Sequence, residues 1–342
     1  MLAAVLRGAR DIRVEETPTP VPGDGEVVIK VEVCSVCGSD LHAYNGMHPK
    51  VTYPRILGHE YSGVVSEVGK GVKDVKPGDR VGADTNLTCG ACVYCRNGRV
   101  NLCPSSKTLG FNMDGAYAQY IKIPVGINIY HLPDNVTFEE AALAQPLGVG
   151  FNAVKRRAGV TVGDVVAVMG AGPIGLSCLL LAKASGAFVV ISDTLDHRLE
   201  TARKLGADVT INISQEDLME RIRELTGGEG VDKVIEAVGG RQDMTLMQST
   251  QIVRRGGLIV VVGTFSDNKA SLRITEFKDR EMELKGARGQ HNTFKPCMRL
   301  ISTGRVNVKP MISHVLSLQE IESGLQMMTD PAEKVSKIII KF

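Results

Sequence analysis

The sequence predicts an α/β protein with two parts: a β-rich, partly open barrel and a doubly wound parallel sheet. Three observations carry this prediction. Residues 1–150 are mostly short β-branched runs separated by Pro/Gly turns, the grammar of a small barrel. From about residue 151 to 287 strands alternate with helices, and repeated crossovers imply a parallel sheet covered on both faces. Between the first strand of that series and its helix stands Gly170-Ala171-Gly172-Pro173-Ile174-Gly175, which matches GxGxxG in its proper context. The 342 residues fit two domains at roughly 100–200 residues each. Residues 288–342 are expected to return to residues 1–150, because the barrel otherwise lacks closing partners.

Composition narrows the function. The 43% hydrophobic and 23% charged fractions are ordinary for a globular protein. A net charge of +2 gives no polybasic surface, which argues against nucleic acid or a membrane as partner. Trp is absent and aromatics are 4%, so Val, Ile, Leu and Ala must build the core. The apolar start Met1–Leu6 is soon interrupted by Arg7, Arg10 and Arg13, too short for a signal peptide. Apolar runs elsewhere fall short of the ~20 residues that span a bilayer. The expected compartment is the cytoplasm, where thiols stay reduced, so the eight Cys are ligands or core residues rather than disulfides.

In chain order, Val27–Val33 reads as a strand after the turn Pro22-Gly23-Asp24-Gly25, and Cys34 as a buried thiol. Cys37 follows, then Ser39–Tyr44 as a short helix that sets Ser39 and His42 on one face. A hydroxyl and an imidazole so placed can pass a proton to solvent; a capping serine and a surface histidine are the plainer readings. Gly58-His59-Glu60 puts a metal-competent imidazole beside a carboxylate after a turn-permitting glycine. Cys37, His59 and Glu60 are expected to hold a catalytic zinc. Strands Tyr61–Val68 and Arg80–Ala83 flank the turn Lys76-Pro77-Gly78-Asp79.

Cys89-x2-Cys92-x2-Cys95-x7-Cys103 places four thiols within fifteen positions. Four thiolates close a tetrahedral shell and leave no open position, so a structural zinc is expected. An iron–sulfur cluster is the rival, and a disulfide pair would need an oxidising compartment. The run Ala141–Gly150 starts as a helix and ends at a Pro/Gly break, with Gln145 its one polar side chain, facing a polar partner or capping the backbone.

In the second part, the strand Asp164–Met169 leads through the glycines into the helix Leu176–Ser185, whose Cys178 is core. The glycines let a pyrophosphate approach the helix N-terminus. Asp193 ends the next strand, where it accepts from the adenosine ribose hydroxyls and repels a 2′-phosphate, favouring NAD over NADP. Further units follow: helices 198–205, 216–226 and 244–253, with strands 209–213, 233–238, 258–263 and 282–287. A helix at 318–328 and a strand at 335–341 end the chain, and Cys297 is structural.

Together these residues resemble the zinc-dependent medium-chain alcohol dehydrogenases over essentially the whole chain. The resemblance rests on Gly58-His59-Glu60 with Gly63, Gly69 and Val72, on the four-Cys lobe, and on the nucleotide-binding glycines. Cys37-Gly38-Ser39-Asp40-Leu41-His42 is most similar to the polyol branch, which includes sorbitol, butanediol and threonine dehydrogenases. It implies a GroES-like catalytic domain and a Rossmann domain. It also implies catalytic zinc at Cys37, His59 and Glu60, and structural zinc at Cys89, Cys92, Cys95 and Cys103. Gly170, Gly172, Pro173, Ile174, Gly175, Asp193 and Arg198 would bind NAD. Ser39 would pass a proton through the cofactor ribose to His42. Where the branch carries a zinc-linked Glu-Pro-Leu, this chain has Gln145-Pro146-Leu147. A neutral amide leaves the zinc one negative charge poorer, so the metal acidifies an alcohol more and is held less tightly. The branch's substrate arginine is matched only by Arg288, one place out of register.

The implied activity is hydride transfer between a secondary alcohol (polyol, sugar or sugar-derived) and NAD, with the alcohol or ketone as the small-molecule partner. Rivals are a ketone or aldehyde reductase, an epimerase or lyase using NAD transiently, and a non-catalytic NAD-binding protein. The resemblance further implies a homodimer or homotetramer, with the Leu258–Thr264 stretch as the pairing edge.

Overall fold

A computed structural model describes residues 1–239, 243–264 and 269–342. The chain divides into two compact units. One comprises Met1–Gln145, Phe294–Thr303 and Ile312–Phe342; the other comprises Pro146–Thr293 and Gly304–Met311. No helix among the described residues is long and apolar enough to cross a membrane.

The first unit is built on a seven-stranded sheet. Its path runs Ile129–His131, Arg80–Ala83, Glu60–Val68, Val27–Ser35, Lys337–Lys341 and Ile312–Ser317, and Tyr120–Ile123 also pairs with Val27–Ser35. A three-stranded sheet of Asp11–Glu16, Leu2–Gly8 and Arg55–Ile56 accompanies it. Alternating Val and Ile side chains of Val27–Ser35 enter a core with Ala3, Ala4, Leu6, Leu57 and Tyr117. Register matters for function. Ser35 lies opposite Glu60 on one side and Ile339 on the other, which aligns the ends of three neighbouring strands. Gly58 adopts φ +89, and a Cβ there would stand 2.7 Å from Tyr117 Cδ1 and 2.9 Å from Cys34 Sγ. Only glycine lets the chain turn there to deliver His59 and Glu60.

The second unit holds a six-stranded parallel sheet in the order Val209–Asn212, Phe188–Asp193, Val165–Met169, Val231–Glu236, Val253–Val261, Glu283–Gly286. The strand order reverses between Val165–Met169 and Val231–Glu236. Ligands of such sheets bind outside the carboxyl ends of the strands at that switch point.

Two expectations need correction. The chain does not break at Pro146-Leu147-Gly148. A helix runs Ala144–Phe151 and continues as a π-helix over Asn152–Arg157. Pro146 sits in the first turn, where its missing N–H has no partner to lose. Gly148 and Gly150 are there for close packing, since a Cβ would meet the Gln290 and Thr293 side chains or the Ser177 backbone. Nor is Leu258–Thr264 an edge: Leu258–Val261 pairs with strands on both sides, and among the described residues the sheet ends at Val209–Asn212 and at Glu283–Gly286. The strand Ile312–Ser317 and helices Ile274–Asp279 and Phe294–Ser302 had no clear sequence signal. Ile312–Ser317 is a half-exposed edge strand whose alternation is diluted by Ser313 and His314.

Candidate active site

Cys37 caps the helix Gly38–Tyr44, while His59 and Glu60 enter from the Gly58 turn and the strand that follows. The Cys37 thiol, a His59 ring nitrogen and a Glu60 carboxylate oxygen all lie within 4.8 Å of one another. Behind His59 is Asp40, fully buried. Its Oδ2 accepts from Cys37 N (3.0 Å) and Tyr117 Oη (2.9 Å), and its Oδ1 faces His59 Nδ1 at 3.4 Å. With the Nδ1 proton turned to Asp40, the second imidazole nitrogen of His59 offers its lone pair, the usual arrangement of a metal-ligating histidine. Burial works against the Asp40 charge, yet His59 and these hydrogen bonds hold its carboxyl below the ordinary range.

Glu60 is held from one side only. Its Oε2 accepts from Ser35 Oγ and pairs with Lys337 Nζ at 2.5 Å. Lys337 is 2% exposed and also donates to the Val36 carbonyl at 2.9 Å. Burial opposes its charge, but Glu60 and then Cys37 more than compensate and raise its pKa. Glu60 Oε1 is buried without a hydrogen-bond partner among the described residues. An orphaned carboxylate oxygen beside a thiol and an imidazole suits a cation. Three protein donors with a position left open is the zinc arrangement that admits a substrate.

Ser39 and His42 share the helix that Cys37 caps. Ser39 is half-buried and donates to Cys37 Sγ at 3.1 Å, so its hydroxyl is at the cluster; His42 is exposed. Gln145 is half-buried near the start of its helix, and Arg288 is exposed.

The four thiols of Cys89, Cys92, Cys95 and Cys103 also lie within 4.8 Å of one another. All eight cysteines are unbridged. Backbone N–H groups point at the sulfurs: Cys92 N at Cys89 (3.4 Å), Cys95 N at Cys92 (3.5 Å) and Cys89 N at Cys103 (3.5 Å). Those of Cys92 and Ala91 bring the Cys89 thiol down to about 6, whereas desolvation and the Cys92 thiol push Cys95 up to about 11. Four thiolates this close need a cation among them, and the donor set suits zinc.

In the second unit, Gly172 caps the twelve-residue helix Pro173–Ala184 with no side chain over its first N–H groups. A Cβ at Gly172 would meet nothing within 4 Å, but one at Gly175 would stand 1.8 Å from the Gly170 carbonyl oxygen. The first glycine leaves room for a ligand and the second lets helix and strand close up, so a pyrophosphate fits this end. Asp193 is buried; it accepts from Ala171 N (2.7 Å) and Leu195 N (3.0 Å), with Arg198 at 3.7 Å.

Glu236 ends the strand across the switch point, paired in register with Met169. Thr245 Oγ1 (2.9 Å) and Val238 N (3.2 Å) donate to its Oε1, but its buried Oε2 has no hydrogen-bond partner among the described residues. Burial outweighs those hydrogen bonds and lifts the carboxyl to about 7. Because the folded pKa is raised, the native chain binds a proton that the unfolded chain has released. Stability therefore falls as pH rises from about 4.3 to 7 and stays low above it. Glu236→Gln is expected to remove this slope in urea titrations at pH 5 and 8, with about 2 kcal/mol gained at the higher pH. Equal slopes in both proteins would contradict it.

Residues 23–134 match the alcohol dehydrogenase GroES-like domain, and residues 173–303 match the zinc-binding dehydrogenase family. The chain is 36% identical to a sorbitol dehydrogenase of Bacillus subtilis, over 99% of this chain and 97% of the relative. The chain belongs to the zinc-type medium-chain alcohol dehydrogenases. It falls in their polyol branch and is an oxidoreductase acting on CH–OH groups. Two solved structures superpose on this dehydrogenase over 100% of its length and 99% of theirs. A short chain alcohol dehydrogenase from E. coli complexed with cofactor NADH has a TM-score of 0.93 at 29% identity. A zinc-binding dehydrogenase from Sinorhizobium meliloti bound to NADP has a TM-score of 0.93 at 32% identity. The GroES-like and Rossmann folds implied by the sequence are thereby established.

The sequence reading missed Lys337 and the part played by Asp40. The first left no signal, because a lysine in a terminal strand is ordinarily solvated. The second stands in the quoted Cys37–His42 segment, three places after a candidate ligand.

Proposed function

We propose that this dehydrogenase oxidises a secondary hydroxyl of a polyol, sugar or sugar-derived alcohol, with NAD as the hydride acceptor. The observation that carries the reading is the cluster of Cys37, His59 and Glu60 with the Ser39 hydroxyl beside it. Cys37, His59 and Glu60 would hold the catalytic zinc, with Gln145 as a further donor. The four-Cys lobe would hold a second, structural zinc. Gly170, Gly172, Pro173, Ile174, Gly175, Asp193 and Arg198 would hold NAD. When bound, zinc polarises the substrate hydroxyl and NAD takes up the hydride.

The rest falls to the chain. Ser39 Oγ accepts the hydroxyl proton as it gives up its own toward exposed His42 on the same helix face, which releases a proton to water. Asp40 keeps His59 in one tautomer. Lys337 and Ser35 hold Glu60 Oε2, which restricts any exchange at the site to Oε1. The Asp193 carboxylate would repel a 2′-phosphate, which supports NAD over NADP. The sorbitol dehydrogenase relative supports a polyol substrate. A cytoplasmic homodimer or homotetramer is the matching setting, with the sheet end Glu283–Gly286 as the pairing strand.

The test is nucleotide reduction against polyols, sugars, secondary alcohols and hydroxy acids, with NAD and NADP and with a chelator-treated control. The expected result is chelator-sensitive NADH formation on polyols and little with NADP. Substrate conversion without net NADH would favour the epimerase or lyase reading.

A further inference from the structure

After the helix Gly38–Tyr44 the chain folds back at Gly46, φ +73, and Met47 N donates to the His42 carbonyl at 2.8 Å. The turn lays the His48 imidazole on the ring of Phe111, with centroids 4.1 Å apart and planes at 23°. The same buried Phe111 ring is 5.1 Å from that of His59, tilted by 51°. One aromatic side chain therefore touches both the candidate metal ligand and His48.

The tautomer of His48 follows from its partner. Lys50 N donates to His48 Nδ1 at 3.3 Å, so the proton of the neutral ring is on Nε2. Nε2 makes no hydrogen bond to the described residues, and the ring is half-buried. Burial lowers the His48 pKa; Asp40 opposes this, and His59 and His42 reinforce it. At neutral pH the ring is an uncharged donor with an unused N–H, stacked on an apolar wall one ring away from the cluster.

We propose that His48 is a specificity-determining residue of this dehydrogenase. Its Nε2–H donates to a substrate hydroxyl beyond the carbon that is oxidised, while the buried Phe111 ring holds the imidazole in place. This rests on the polyol reading above and deepens it. A site built to hydrogen-bond a second hydroxyl discriminates against the alcohol that lacks it, because the donor then loses its partner.

The test compares 2,3-butanediol with 2-butanol, which differ by one neighbouring hydroxyl, in the wild type, His48→Phe and His48→Gln. Phenylalanine keeps the stack without the donor, and glutamine returns an N–H donor. The wild type is expected to favour the diol about 10-fold or more in kcat/KM. His48→Phe should lower the diol value about 10-fold, mainly through KM, and the 2-butanol value about 2-fold at most. His48→Gln should recover part of the diol preference. Calorimetric binding of the diol and of sorbitol to the zinc-loaded protein without nucleotide should weaken by a similar factor in His48→Phe, at unchanged zinc content. An equal fall for both alcohols, or an unchanged diol preference, overturns the proposal. If the wild type oxidises neither alcohol, the dehydrogenase reading fails separately. The calorimetry still decides His48: binding that is absent from the wild type, or equal in His48→Phe, overturns it.

Discussion

Lys337→Met is expected to cost about 3–5 kcal/mol of stability, read from the urea midpoint of the catalytic unit. The wild-type ammonium is 2% exposed, so only its pairing with Glu60 and the Val36 carbonyl makes its burial tolerable. Methionine fills similar volume but leaves the Glu60 carboxylate buried with Ser35 as its remaining donor. The penalty is mostly that of an uncompensated buried charge rather than of a lost contact. It should be larger in zinc-stripped protein, where no cation faces Oε1. The double variant Lys337→Met, Glu60→Gln should recover most of the loss, since neither unpaired charge remains. A single-variant loss below about 1 kcal/mol would place this pair with ordinary surface ion pairs.

Cys37→Ala is expected to empty one metal site and lower kcat by about three orders of magnitude, the scale of several kcal/mol of Lewis-acid stabilisation. The variant leaves the four-Cys lobe intact, and with it the second site. Metal analysis should therefore show partial and not complete loss of zinc. Loss from both sites would mean that the lobe depends on Cys37, which its separate donor set argues against. Retention of zinc at both sites with normal turnover would remove Cys37 from the ligand set. Cys37 is also the N-cap residue of the helix Gly38–Tyr44, so Cys37→Ser serves as a control that puts a good capping side chain there while replacing the soft sulfur donor.

Lys337 and the Cys37 cluster differ in how far they could be read in advance. The spacing of Cys89, Cys92, Cys95 and Cys103 already confines four sulfurs to one loop, and the structure brings all four together. Gly58 was legible as a turn before His59, and its φ of +89 and crowded surroundings give the reason. The glycines at 170 and 175 were legible because each answers a local backbone demand, whereas nothing in the fold crowds a side chain at 172. The pairing edge was misread because Leu258–Val261 is strongly β-forming wherever it lies in a sheet. Edge and interior strands differ in their neighbours, not in their own residues. The supposed break at Pro146 was misread for a similar reason: a proline in the first turn of a helix costs no hydrogen bond.

What the sequence by itself determined is the placement that short-range spacing encodes: the His59–Glu60 pair, the four-thiol lobe, the glycines at 170, 172 and 175 and the two architectures around them. Only the tertiary structure decided how those groups are held. Lys337 reaches the carbonyl of Val36 across 301 positions, and Tyr117 reaches Asp40 across 77. His48 gains its meaning from the ring of Phe111 beneath it. Ligand spacing is written into a few consecutive residues because a short loop must present several donors at once. The charges and donors that orient those ligands can come from any strand that register brings alongside, and register is set by the packing of the whole unit.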